Sequence, residues 1–166
     1  KLCMGFVTPV LNRSKEFAAM QLLNVIYGSG MTSKLFVNVR EKMSLCYSIG
    51  SGYYGTKGIM VVSAGIDFDK EELVTGKIAE ELKACQEANI TDEELAAAKE
   101  ALCSSLRSTH DSPGAIESYY ANGALSGLDM TPEAYMDKVL AVTKEDVAAA
   151  AKTLTLHTAY FMKGVQ

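Results

Sequence analysis

Cys46-Tyr47-Ser48-Ile49-Gly50-Ser51-Gly52-Tyr53-Tyr54, then Gly55-Thr56-Lys57-Gly58, then Ile59-Met60-Val61-Val62-Ser63-Ala64-Gly65-Ile66 is the stretch on which the fold depends. Two β-rich runs around a short segment with a glycine at each end predict a hairpin. From Ile59 to Val62 every position is apolar, which predicts a strand covered on both sides or nearly so. A hairpin in the middle of a chain whose other punctuation is helical argues for an α+β protein.

Upstream of the hairpin, Leu2-Cys3-Met4-Gly5-Phe6-Val7 is a short apolar run closed by Thr8-Pro9, hence a buried strand. Ser14 offers a helix N-cap, and Ala19, Leu22, Leu23 and Ile26 repeat at helical spacing until Gly28-Ser29-Gly30. A shorter helix is expected from Ser33 to about Lys42, with Leu35, Phe36 and Val39 on one side. Downstream, Asp69 with Glu72 opens a helix whose inner stripe is Val74, Ile78, Leu82 and Cys85. Thr91 and Glu94 form a capping box ahead of Leu95, Ala98, Leu102 and Leu106. Ser112-Pro113, Thr131-Pro132 and Thr143 with Asp146 start three more helices, and Thr158 to Met162 reads as a closing strand. The order β-α-β-β-α-β is the ferredoxin-like split plan, a mainly antiparallel sheet with helices on one face and extra helices in its second crossover. No repeat or linker divides the chain, so residues 1–166 are expected to form a single domain, excised from a longer chain.

With 48% hydrophobic and 22% charged residues the composition is that of a globular protein. Sixteen Lys and Arg against twenty Asp and Glu give −4, which argues against a nucleic-acid partner. No apolar run is long enough for a membrane span. Cys3, Cys46, Cys85 and Cys103 contain no Cys-x-x-Cys pair and are expected as thiols in a reducing, cytoplasmic setting. His110 and His157 are far apart and lack ligand-spaced neighbours, so no metal and no other cofactor is expected in this chain.

Gly50-x-Gly52-x-x-Gly55 matches a dinucleotide fingerprint as a string only, because a strand and its turn hold the glycines and another strand follows. Gly28, Ser29 and Gly30 follow one helix and precede another, so a tight turn is expected there, with ligand contact as a lesser role. Asp67 and Asp69 flank a helix start, where carboxylates cap amides.

One segment asks for more. The helix carrying Arg40-Glu41-Lys42 runs directly into the strand that begins near Tyr47. A planar guanidinium and a phenol at one helix-to-strand corner can both donate hydrogen bonds to the carbonyls of an extended peptide. The residues alone leave a second reading open, in which Arg40 pairs with Glu41 or a distant carboxylate and Tyr47 packs on the sheet.

Here the sequence resembles the insulinase, pitrilysin and mitochondrial-processing-peptidase family of inverted-motif zinc peptidases, and specifically their second, metal-free domain. The resemblance is carried by Gly30-Met31-Thr32-Ser33-Lys34-Leu35-Phe36, Arg40-Glu41-Lys42 and Leu45-Cys46-Tyr47-Ser48, and more weakly by the element order along the chain. It implies a clamshell of related domains around a peptide chamber, with zinc held by the homologous partner domain. It further implies that Arg40 and Tyr47 bind backbone carbonyls of the peptide substrate. The chain contains no zinc motif, so the resemblance implies no hydrolysis by it alone. Its parent is expected to be either a zinc metallopeptidase or a non-catalytic structural or partner subunit. An unrelated ferredoxin-like ligand-binding module is the remaining reading.

Overall fold

The computed structural model describes residues 1–164. The chain opens with strand β1 (Leu2–Val7), followed by helix α1 (Phe17–Tyr27) and a π-helical segment (Leu35–Lys42). The hairpin follows as β2 (Ser48–Tyr54) and β3 (Ile59–Gly65). Helices α2 (Glu71–Gln86), α3 (Asp92–Arg107), α4 (Pro113–Ser126), α5 (Pro132–Ala141) and α6 (Lys144–Lys152) precede β4 (Thr155–Phe161). The four strands form one sheet in the order β2-β3-β1-β4, and each adjacent pair is antiparallel.

Alternation sorts the sheet into two faces. Leu2, Met4 and Phe6 of β1 and Met60, Val62 and Ala64 of β3 are buried together with Met20, Leu22, Leu23 and Ile26 of α1. Full burial of such a side chain stabilises by about 1.5–3 kcal/mol, so this layer dominates the stability of the fold. The intervening β3 residues Ile59, Val61 and Ser63 are only half-buried, so β3 is not covered on both sides as its apolar run suggested. Val74, Ile78, Leu82 and Cys85 are all buried on α2, as their spacing required. Tyr27, fully buried, donates from its hydroxyl to the Ile78 carbonyl at 2.9 Å and so ties α1 to α2.

Several boundaries differ from expectation, each for a local reason. Ser14 does not cap α1. Its hydroxyl accepts from the Leu11 amide at 2.9 Å, and its carbonyl accepts from Phe17, so it closes a turn before the helix. Asp69 does not cap α2, because Phe68–Lys70 form a single 3-10 turn and Lys70 holds the cap position without a side-chain bond. Strand β4 begins three residues earlier than expected, and a register shift opposite Gly5 and Phe6 accommodates the extra residue. The capping boxes at Thr91 with Glu94 and Thr143 with Asp146 form with both reciprocal bonds, and Ser112 and Thr131 cap α4 and α5.

Candidate functional site

Arg40 projects from the last turn of the π-helical segment. The wider turns of that segment were not foreseen from the 3.6-residue spacing of Leu35 and Val39, both of which are fully buried. Ser44 ends it in the left-handed region, at φ 51°. The amide of Ser44 then bonds Arg40 O at 3.0 Å and that of Leu45 bonds Val39 O at 3.2 Å, turning the chain sharply toward β2.

Two tethers fix this segment to the body, after a local turn that Ser33 closes just ahead of it. Ser33 donates to the Gly30 carbonyl at 2.7 Å. Lys34, almost fully buried, reaches Glu94 Oε1 at 2.8 Å, while Oε2 of the same carboxylate accepts the Thr91 amide of the capping box. Asn38 donates to Glu81 on α2 at 2.9 Å.

The guanidinium is restrained in turn. Nε donates to the Tyr47 main-chain oxygen at 3.1 Å, Nη1 meets Glu41 Oε1 at 3.0 Å, and Cζ lies 4.6 Å from the Phe36 ring centroid. The pairing with Glu41, foreseen as an alternative, is therefore real. It leaves Nη2 without a bond among the described residues, and the side chain is 37% exposed.

Tyr47 does not pack on the sheet; it is 73% exposed. Its hydroxyl donates to Asp67 Oδ1 at 2.7 Å, and Lys70 Nζ pairs with Asp67 Oδ2 at 3.1 Å. The hydrogen bond to Asp67, and then the carboxylate charge, raise the Tyr47 pKa above the usual phenol value. Tyr47 and Lys70 lower that of Asp67, and the Asp67 contact raises that of Lys70. Burial pushes the Cys46 thiol up, against the opposing pull of Arg40 and Lys70. Arg40, Glu41, Cys46, Tyr47, Asp67 and Lys70 line one open groove of about 440 Å³.

Asp67 was expected to cap a helix and instead holds the phenol, because it makes no capping bond at the 3-10 turn. The signal was present in the hairpin register: Ser48 faces Gly65, so two further steps bring position 67 opposite Cys46, beside Tyr47.

Gly28, Ser29 and Gly30 do not line this groove. The Gly28 carbonyl accepts the Ser51 amide of β2 at 3.0 Å, and a Cβ on Gly28 would stand 2.5 Å from Ser51 Oγ. That close approach explains the glycine.

The residues present do not fit a zinc ion. His110 bonds Glu133 at 2.7 Å and His157 bonds Thr158 at 2.8 Å, on separate elements. Among the described residues no group of three or more His, Cys, Asp or Glu is gathered to hold a metal. No described helix is long and apolar enough to cross a membrane.

Comparison with known proteins adds a family match: residues 1–102 fit the model described as the peptidase M16 inactive domain. A probable inactive metalloprotease of Bacillus subtilis is 30% identical over 166 residues, covering 100% of this chain and 39% of the relative. An uncharacterized zinc protease of Rickettsia felis is 31% identical over 157 residues, covering 92% of this chain and 38% of that protein. The crystal structure of a conserved protein from Enterococcus faecalis V583 superimposes with a TM-score of 0.92 at 30% identity, over 99% of this chain and 39% of that one. The chain thus spans about two fifths of the length of the curated relatives it matches.

Proposed function

This chain belongs to the family of the peptidase M16 inactive domain, and on that premise we propose that it is the substrate-clamping, non-zinc half of an insulinase-type metallopeptidase. Its groove takes a peptide in extended form. Arg40 donates to a backbone carbonyl through the guanidinium N–H groups that Tyr47 O and Glu41 leave free, and Tyr47 supplies the second main-chain contact. The observation that carries this reading is the common groove: both tips are exposed in it, and the guanidinium is braced on three sides. The zinc, its ligands and the general base belong to a homologous domain, in the same polypeptide or in a partner subunit. The sheet order supports the split β-α-β plan, with β3 inserted antiparallel between β1 and β2. A reducing, cytoplasmic setting is part of the same proposal.

A charge-assisted bond from Arg40 contributes about 1.5–3 kcal/mol. If it strengthens as the carbonyl becomes tetrahedral, its loss costs on the order of 10²–10³ in rate. In the full-length protein Arg40→Lys therefore lowers peptide turnover by about that factor without unfolding, because an ammonium cannot reproduce the planar fork. Undiminished turnover removes the role.

The similarity to a protein described as a probable inactive metalloprotease favours a second reading, a non-catalytic subunit that keeps the groove for binding or assembly. Purified full-length protein supplied with zinc then cleaves no unstructured peptide, yet binds one in an Arg40-dependent way.

A further inference from the structure

We propose that the cavity between the loop after β1 and the turn joining α4 to α5 binds a small organic carboxylate. Arg13 and Lys138 hold the anion, and the buried Tyr135 hydroxyl donates to a carbonyl on the body of the ligand. The site shares no lining residue with the Arg40 groove and does not depend on how that groove is read.

Tyr135 carries the argument. Its side chain is buried and stacks on Phe17 with ring centroids 5.6 Å apart. Its hydroxyl is nevertheless the one buried side-chain polar atom among the described residues without a hydrogen-bond partner. The neighbouring phenols are already used: Tyr53 donates to Val10 O at 2.7 Å, and Tyr119 to Met130 O at 3.2 Å. Burial, and after it Tyr119 and Tyr53, raise the Tyr135 pKa, so this phenol keeps its proton. Buried hydroxyls are satisfied in the large majority of folded proteins, so this one marks an acceptor that the chain itself does not supply. Tyr135 lines a cavity of about 270 Å³. At roughly 30 Å³ per water molecule, that is several times the room a single bridging water needs.

The charges decide what enters. Arg13 and Lys138 line the cavity and make no ion pair or side-chain hydrogen bond among the described residues. Lys15 is engaged by Glu16 at 3.5 Å, and Asp129 is the one carboxylate in the lining. Arg13 and Lys138 against Asp129 leave one positive charge over, which suits a monoanion, while Asp129 repels a second negative charge. Arg13 is laid across Gly127, the left-handed cap of α4, where an added Cβ would come 3.4 Å from its own. Helix α1 starts in the same wall, with no side-chain cap and no acidic residue in its first turn, so its dipole favours the anion too. Phe17, Leu128 and Met130 make the rest of the surface apolar. The ligand class is therefore a carboxylate on an apolar body that also carries a carbonyl. A free N-acyl amino acid and the C-terminal residue of a peptide share that chemistry.

Isothermal titration calorimetry of the full-length protein with N-acetyl-leucine, N-acetyl-leucinamide and isocaproate tests the site. N-acetyl-leucine is expected to saturate it. The uncharged amide, and isocaproate, which lacks the inner carbonyl, each bind about tenfold more weakly, the size of one hydrogen bond. Arg13→Gln weakens both acids alike by about tenfold. Tyr135→Phe keeps the ring and its stacking, leaves the melting temperature no lower, and makes the two acids equal. A hexapeptide ending in free leucine that matches N-acetyl-leucine supports the site and identifies a peptide C terminus as the source. If that hexapeptide binds no better than its amide while N-acetyl-leucine still saturates, the site stands with the free acid as its ligand. The inference is overturned if N-acetyl-leucine fails to saturate, the cavity then holding water only. It is equally overturned if Arg13→Gln leaves both affinities unchanged, or if Tyr135→Phe leaves the gap between the two acids in place.

Discussion

Arg40 donates from Nε to the main-chain oxygen of Tyr47 at 3.1 Å, so the helix-borne cation is registered on the backbone just ahead of β2. The relationship makes the corner a unit. Moving the π-helical segment moves Arg40 relative to the strand.

The Tyr47–Asp67 bond titrates at both ends. Tyr47 has a raised pKa in the fold, so its contribution is complete below the ordinary phenol value of about 10 and is lost as pH rises through the raised value. Asp67 has a lowered one, so its contribution is complete above the ordinary carboxylate value of about 4 and is lost as pH falls through the lowered value. Phenolate absorbance, taken as wild type minus Tyr47→Phe, rises at higher pH than for free tyrosine, and Asp67→Asn shifts it downward. A transition that ignores Asp67→Asn contradicts the bond.

Lys34 anchors the segment through Glu94, with side-chain exposures of 9% and 28%. Lys34→Met leaves the carboxylate with only its capping bond. A loss of about 2 kcal/mol is expected from a pair buried only in part, read as a lower urea midpoint. Peptide affinity falls as well if the anchor holds Arg40 in register. No change in midpoint removes the anchor.

Ala88 stands at φ 58° after α2, where its amide bonds Cys85 O and that of Asn89 bonds Ala84 O. This is a Schellman closure with alanine in the position glycine favours. Ala88→Gly is therefore expected to stabilise by about 1 kcal/mol in urea denaturation, since left-handed backbone costs an L-residue roughly that amount. Destabilisation sinks the assignment.

Gly28 sits against Ser51, and a Cβ there meets both the Ser51 side chain and its amide. Gly28→Ala should cost about 1–3 kcal/mol of stability, as overpacking does, and change peptide binding only through the fold. Full stability with lost binding assigns the loop to the ligand instead.

Much of this was legible in the sequence because short-range signals decide it. Thr91, Ser112, Thr131 and Thr143 cap their helices as read, and the glycines of the turn set the hairpin. Arg40 and Tyr47 share the corner at which the sequence placed them, and they line one groove, whereas a substrate role for them came only from the family resemblance. What escaped was settled by competition between neighbours. Ser14 had two amides within reach and serves Leu11. Asp67 had a helix start beside it and serves Tyr47 across the hairpin. A periodic pattern reports which face is buried and not how wide the turns are, so the π-helical form of Leu35–Lys42 left no trace in it.

The central claim is that this groove holds a polypeptide main chain through Arg40. Fluorescence anisotropy of a labelled unstructured peptide titrated with the full-length protein, wild type against Arg40→Lys, tests it most directly. The account predicts saturable binding that weakens about tenfold or more in the variant, the worth of one charge-assisted bond, at unchanged thermal stability. Equal affinity in both proteins contradicts it.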